Sequence, residues 1–164
     1  MTETGKAGVR VVRIAVPASA RELTVVEPID YEDAFRAEPG PAAGEPAVEA
    51  AEAVLGDAPA NLRGALLGGW SSLGLRLGAG VGRQILGWRL RRADAEVAVL
   101  AADSPLGIAA ELAFVRQGDA LLYATFVRLD GEPARAAWAE VEPVHPPMVR
   151  RLLERAASPT RFGP

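Results

Sequence analysis

Four runs in which apolar residues occupy every second position follow one another between Gln84 and Leu129, and after Pro133 the apolar spacing changes to three and four residues. Leu86, Trp88 and Leu90 alternate first, then Val97, Val99 and Ala101, then Leu106, Ile108, Ala110, Leu112 and Phe114, and finally the stretch Leu121–Leu129. The clusters Arg91–Asp94, Asp103-Ser104-Pro105 and Gln117-Gly118-Asp119 separate them. Connections this short join antiparallel neighbours, because a parallel pair needs a long crossover. Beyond Pro133, the residues Ala134, Trp138, Val141, His145, Met148 and Leu152 fall on one helical face. Pro143, Pro146 and Pro147 each remove a backbone donor, so a kink or short break is expected near 143–147 with the same face buried on both sides. The order predicts an α+β fold in which a curved antiparallel sheet wraps around a long C-terminal helix.

The first half of the chain is less regular. Val9–Val16 reads as a strand ended by Pro17, residues 18–23 as a turn of helix, and Val25–Phe35 as a mixed extended stretch. Glu38–Pro46 is a loop by its prolines and glycines. Pro46 suits the first position of a helix over 46–55, and Pro59 starts a second over 59–70, with Leu62, Leu66 and Trp70 on one face. A glycine-rich connector, 71–83, leads into the meander. One domain over 9–158 is expected, with tails at 1–8 and 159–164.

At 164 residues and 49% apolar composition, the chain can bury roughly two thirds of its unfolded surface. Many of those apolar residues are alanine, so the core depends on a few bulky fillers. The net charge of −3 offers no general attraction to nucleic acid. Lys6 is the sole lysine beside many arginines, a bias typical of GC-rich bacterial coding. The absence of cysteine and the single histidine exclude disulfides, thiolate zinc sites, cysteine nucleophiles and histidine-rich metal sites. No cofactor or metal is expected. The polar start is unlike a secretory signal, and Arg76 with the glycines of 64–82 argues against a membrane span, so a cytoplasmic setting is expected. Nothing in the sequence sets an oligomeric state.

Several local patterns invite a chemical reading. Gly78–Arg83 lacks the lysine, the Ser/Thr and the following helix that a phosphate cradle needs. Asp30 and Asp33 could ligate a hard cation, but on an extended stretch they point to opposite faces; the expectation is that one caps a turn and the others are solvated. Arg89, Arg91 and Arg92 read as a solvated basic face. Ser71, Ser72 and Ser104 lack a nucleophile elbow. His145 sits between Val141 and Met148 on the apolar helix face, either aimed at a cavity or bonded to backbone freed by the prolines. Trp70, Trp88, Phe114, Tyr123 and Trp138 are core fillers or the walls of a small-molecule site. Trp138 and His145 share a face and are the best candidates for a pocket wall.

Four strings carry a family resemblance: Asp30-Tyr31-Glu32-Asp33-Ala34-Phe35, Leu86-Gly87-Trp88-Arg89, Ala102-Asp103-Ser104-Pro105-Leu106, and Trp138 with Pro143-Val144-His145. In that order they resemble an uncharacterised actinobacterial domain family associated with the START and polyketide cyclase-like (helix-grip) superfamily. Pro146 and Pro147 stand where that pattern has a basic residue after the histidine. The resemblance implies a cavity under the long helix able to hold a lipid, polyketide or isoprenoid-like molecule, with Trp70, Trp88, Phe114, Tyr123, Trp138 and His145 as candidate ligand-binding residues and no catalytic set. Two alternatives stay open: a cyclase or hydratase with His145 as acid or base, which a carboxylate beside His145 would favour, and a structural module whose cavity is filled by its own side chains.

Overall fold

The computed structural model describes residues 8–78 and 80–158. The expected tails, 1–8 and 159–164, lie outside the described residues except for Gly8.

The strands are β1 (Arg10–Ile14), β2 (Tyr31–Glu38), β3 (Gln84–Ile85), β4 (Trp88–Ala93), β5 (Val97–Ser104), β6 (Ile108–Gln117) and β7 (Ala120–Leu129). They form one antiparallel sheet in the order β1-β2-β7-β6-β5-β4-β3. The helices are α1 (Ala18–Arg21), α2 (Ala47–Ala51), α3 (Ala60–Ser72), α4 (Glu132–Val141) and α5 (His145–Ala157). A π-helical turn, Glu52–Gly56, follows α2, and a 3-10 turn, Glu142–Val144, joins α4 to α5. The C-terminal rod therefore breaks where the prolines predict. It lies with α2 and α3 over one face of the curved sheet, the helix-grip arrangement.

The meander forms as its alternation predicts, except at its turns. Asp103 and Ser104, expected in a turn, end β5, and Leu106, expected in a strand, lies in the turn before β6. Two further differences come earlier in the meander. The expected single strand 84–90 is two strands folded back on each other, with Ile85 opposite Trp88. The two turn residues, Leu86 and Gly87, have φ of +50° and +90°, and a two-residue turn with both φ values positive matches the twist of a hairpin. Arg91–Ala93, expected as a turn, belong to β4. A register shift between Leu90 and Arg92 lets the strand bend there.

The sheet buries both faces. On the inner face Phe35, Tyr123, Leu112, Leu100 and Trp88 meet the helices. On the outer face Ala34, Ala124, Phe126, Ala113 and Val99 are covered by Ala20 and Val26, with Leu23 and Ile29 beside them. Burial on both sides explains why the sequence of β7 is almost continuously apolar from Ala120 to Val127.

The outer cover is held by a buried carboxylate. Glu111 on β6 lies on that face and is 2% exposed. It accepts hydrogen bonds from the Thr24 hydroxyl at 2.6 Å, the Val25 amide at 3.0 Å and Arg91 Nε at 2.5 Å. Arg91 also donates to the Leu23 carbonyl at 2.6 Å. Arg91 thus leaves the expected solvated patch: it sits at the register shift of β4 and reaches Glu111, whereas Arg89 and Arg92 are exposed. Replacing Glu111 with glutamine would remove the charge that satisfies three donors at once. The expected outcome is a loss of about 1–3 kcal/mol in urea unfolding, with faster proteolysis after Arg21 as the 15–29 segment loosens.

Candidate functional site

The alternation of β2 places Tyr31, Asp33, Phe35 and Ala37 on the inner face. Phe35 and Ala37 continue the core, and Tyr31 and Asp33 extend the same stripe toward the break in the C-terminal rod. β2 pairs with β7 so that Asp33 stands opposite Thr125 and Phe35 opposite Tyr123. Above them the 3-10 turn redirects the chain, and α5 starts with His145.

These positions converge. The Tyr31 hydroxyl donates to Asp33 Oδ2 at 2.6 Å. His145 Nε2 lies 3.2 Å from the same oxygen and 3.2 Å from Thr125 Oγ1. The Thr125 hydroxyl donates to the Tyr123 oxygen at 2.8 Å. Around the imidazole, the Tyr31 ring stands edge-on at 5.8 Å and the Trp138 ring at 5.5 Å, and these two rings are 4.9 Å apart. The Trp138 indole N–H donates to Glu142 Oε1 at 3.2 Å, which ties α4 to the turn.

A carboxylate that is 2% exposed must be compensated, since losing water costs an ionised group several kcal/mol. Burial pushes Asp33 toward the neutral acid. The hydrogen bond and charge of His145, then the hydroxyl of Tyr31, outweigh burial and hold its pKa below the usual carboxylate value. Burial, followed by the hydrogen bond and charge of Asp33, pushes the Tyr31 phenol upward. Burial and the charge of Asp33 do the same to Tyr123. Both phenols therefore remain protonated at neutral pH.

His145 opens onto a cavity of about 90 Å³ between the sheet and the helices. Its walls are mainly apolar: Leu66 and Leu73 from the α3 side, Leu112 and Val127 from the sheet, Met148 and Leu152 from α5. Five of the six residues expected at a ligand site line it, namely Trp70, Trp88, Tyr123, Trp138 and His145. Phe114 lies behind the wall, fully buried and edge-on to Tyr123 at 5.4 Å. Trp88 is 2% exposed and packs edge-on against Trp70 at 5.5 Å. Its indole N–H is buried without a hydrogen-bond partner among the described residues, as is Asp33 Oδ1.

The expectation for the acidic residues changes. Asp30 caps backbone, accepting from the Leu129 amide at 2.6 Å. Asp33 is not solvated: it shares the inner face with Phe35 and is the carboxylate beside His145. Ser104 holds a turn by accepting from the Leu106 amide at 3.1 Å. Among the described residues no helix is long and apolar enough to cross a membrane.

The lowered pKa gives Asp33 a definite signature. Its folded value lies below its unfolded value of about 3.9, so the stabilisation is present above that pH and is lost as pH falls through the folded value. Asp33→Asn is expected to cost about 1–3 kcal/mol at pH 7. The gap from wild type should narrow below about pH 4. Urea unfolding at pH 7 and pH 3 measures both; an unchanging gap would contradict the ionised, compensated state of Asp33.

The chain matches no family model, no curated protein and no solved structure.

Proposed function

We propose that this protein binds a compact, mostly apolar molecule carrying a hydrogen-bond acceptor, non-covalently, in the cavity beneath the C-terminal rod. Membership of the START and polyketide cyclase-like superfamily and a cytoplasmic, bacterial setting belong to the same proposal. The helix-grip architecture and the quoted strings support the first, and the cysteine-free, arginine-rich composition supports the second.

The observation that carries the reading is Trp88, which lines the apolar cavity and whose indole N–H is buried with no partner among the described residues. A buried donor left unmade costs about 1–3 kcal/mol. A ligand oxygen placed against it would remove that cost while the rest of the ligand displaces water from apolar walls, at about 25 cal/mol per Å² buried. The volume sets the size of the ligand. About 90 Å³ is smaller than the roughly 150 Å³ that accommodates benzene in an engineered cavity. A ketone smaller than benzene fits this volume, and cyclopentanone, with as many heavy atoms as benzene, needs the walls to yield slightly. Longer lipid, polyketide or isoprenoid ligands require a wall to yield, and α3 is the wall that can, because it buries only Leu62 and Leu66 along its 13 residues. The small volume also favours a second reading, an interaction module whose interior is largely filled by its own side chains.

Native mass spectrometry of the purified protein, before and after denaturing extraction, would reveal a retained compound. Saturation-transfer NMR with cyclopentanone tests the site directly. Trp88→Phe keeps the bulk but loses the donor, and should weaken cyclopentanone binding roughly two- to ten-fold. Ala110→Leu, which adds bulk at a cavity-lining position, should abolish binding while the protein keeps a cooperative thermal transition. Absence of both a retained compound and any cyclopentanone signal would leave the filled-interior reading.

A further inference from the structure

We propose that His145 is a proton-transferring catalytic residue, with Asp33 as its positioning residue, and that the chemistry is removal of an acidic C–H proton next to a carbonyl in the bound molecule. The inference rests on the binding reading above and goes beyond it by assigning a reaction class and an acting atom.

The assignment starts from the hydrogen bonds of one nitrogen. At neutral pH an Asp33 oxygen offers lone pairs only, and it faces His145 Nε2 at 3.2 Å. Thr125 passes its own proton to Tyr123, so its oxygen also faces Nε2 as an acceptor, at 3.2 Å. Two acceptors on Nε2 make it the protonated nitrogen of the neutral ring, and Nδ1 then carries the lone pair. Nδ1 has no hydrogen-bond partner among the described residues, and the ring lines the apolar cavity. A buried carboxylate orienting an imidazole whose other nitrogen is basic is the division of labour that general-base catalysis uses. No arginine is ion-paired to Asp33 among the described residues; its ion-pair partner there is His145. Any positive charge that His145 acquires is therefore met by a carboxylate already in place.

The step balances without a co-reactant. The C–H bond breaks, its electron pair moves into the adjacent carbonyl to give an enolate, and an N–H bond forms at Nδ1. The imidazolium then returns a proton to the same carbon or to another position of the conjugated molecule, giving exchange or isomerisation. A compact carbonyl compound is the substrate class, since its oxygen is also the acceptor that the Trp88 N–H lacks.

The single histidine makes the test clean. Nitrogen-15 NMR of the free protein should show the neutral ring of His145 protonated on Nε2; protonation on Nδ1 would overturn the proposal without any ligand. In D2O, cyclopentanone held by the wild-type protein should exchange its α-hydrogens at least ten-fold faster than at equal occupancy of His145→Gln. Asp33→Asn should slow exchange at unchanged cyclopentanone affinity and shift the His145 nitrogen signals toward a tautomer mixture. Equal exchange by wild type and His145→Gln, with binding intact in both, refutes proton transfer and leaves the binding reading standing. Absence of cyclopentanone binding in both proteins defeats the binding reading and this one with it.

Discussion

An ionised carboxylate almost without solvent contact needs compensation at short range, and Asp33 draws it from two directions. From its own sheet comes the hydroxyl of Tyr31, and from the C-terminal rod comes His145. The sheet and the rod are thus joined by a polar contact whose loss leaves a buried charge unpaired. Such contacts add little net stability compared with an apolar packing of the same volume. They do fix geometry, because an imidazole with two acceptors on one nitrogen has one ring orientation that satisfies both. The relation of α5 to β2 and β7 is accordingly specified by hydrogen-bond direction as well as by shape.

The break in the rod makes this contact possible. A straight helix from Glu132 to Ala157 would carry one continuous stripe across the sheet. The 3-10 turn at Glu142–Val144 interrupts it, and Trp138 and Glu142 bond across the junction. His145 then begins a new helix above Asp33, while Met148, Val149 and Leu152 resume the apolar stripe. The prolines spoil local helical bonding at the level where the imidazole needs to descend between the Tyr31 and Trp138 rings. The same break contributes Val144 and His145 to the cavity wall, so polar anchor and apolar space arise from a single irregularity.

Much of this was legible in the residues, and the remainder has physical reasons for being hidden. The period-2 runs of β5, β6 and β7 and the face shared by Trp138 and His145 come directly from spacing, because one dominant buried face fixes each. The turn at Leu86-Gly87 was masked because Leu86, Trp88 and Leu90 keep a strand-like alternation through it, and leucine is an unusual residue at positive φ. The outer cover by residues 14–29 was hidden by small side chains: Ala34, Ala113 and Ala124 do not announce a second buried face. Asp33 reads as solvated because an extended stretch turns it and Asp30 to opposite faces and gives no sign of which face is buried. A signal was present, since Asp33 keeps even spacing with Phe35 and Ala37, and an acidic residue in register with a core stripe marks a buried charge.

The two buried carboxylates separate structural from chemical use of the same residue type. Glu111 is saturated: a hydroxyl and a backbone amide from the outer cover and a guanidinium from β4 surround it. Its removal would loosen that cover. Asp33 has one oxygen shared by a phenol and an imidazole and the other, Oδ1, without a partner among the described residues. Its ion-pair partner is an imidazole, and that ring borders the cavity. A group placed only for stability would be better served by the first arrangement. The second keeps an imidazole at the edge of an apolar space with a carboxylate already in position beside it, the arrangement that the proposed proton transfer would draw on.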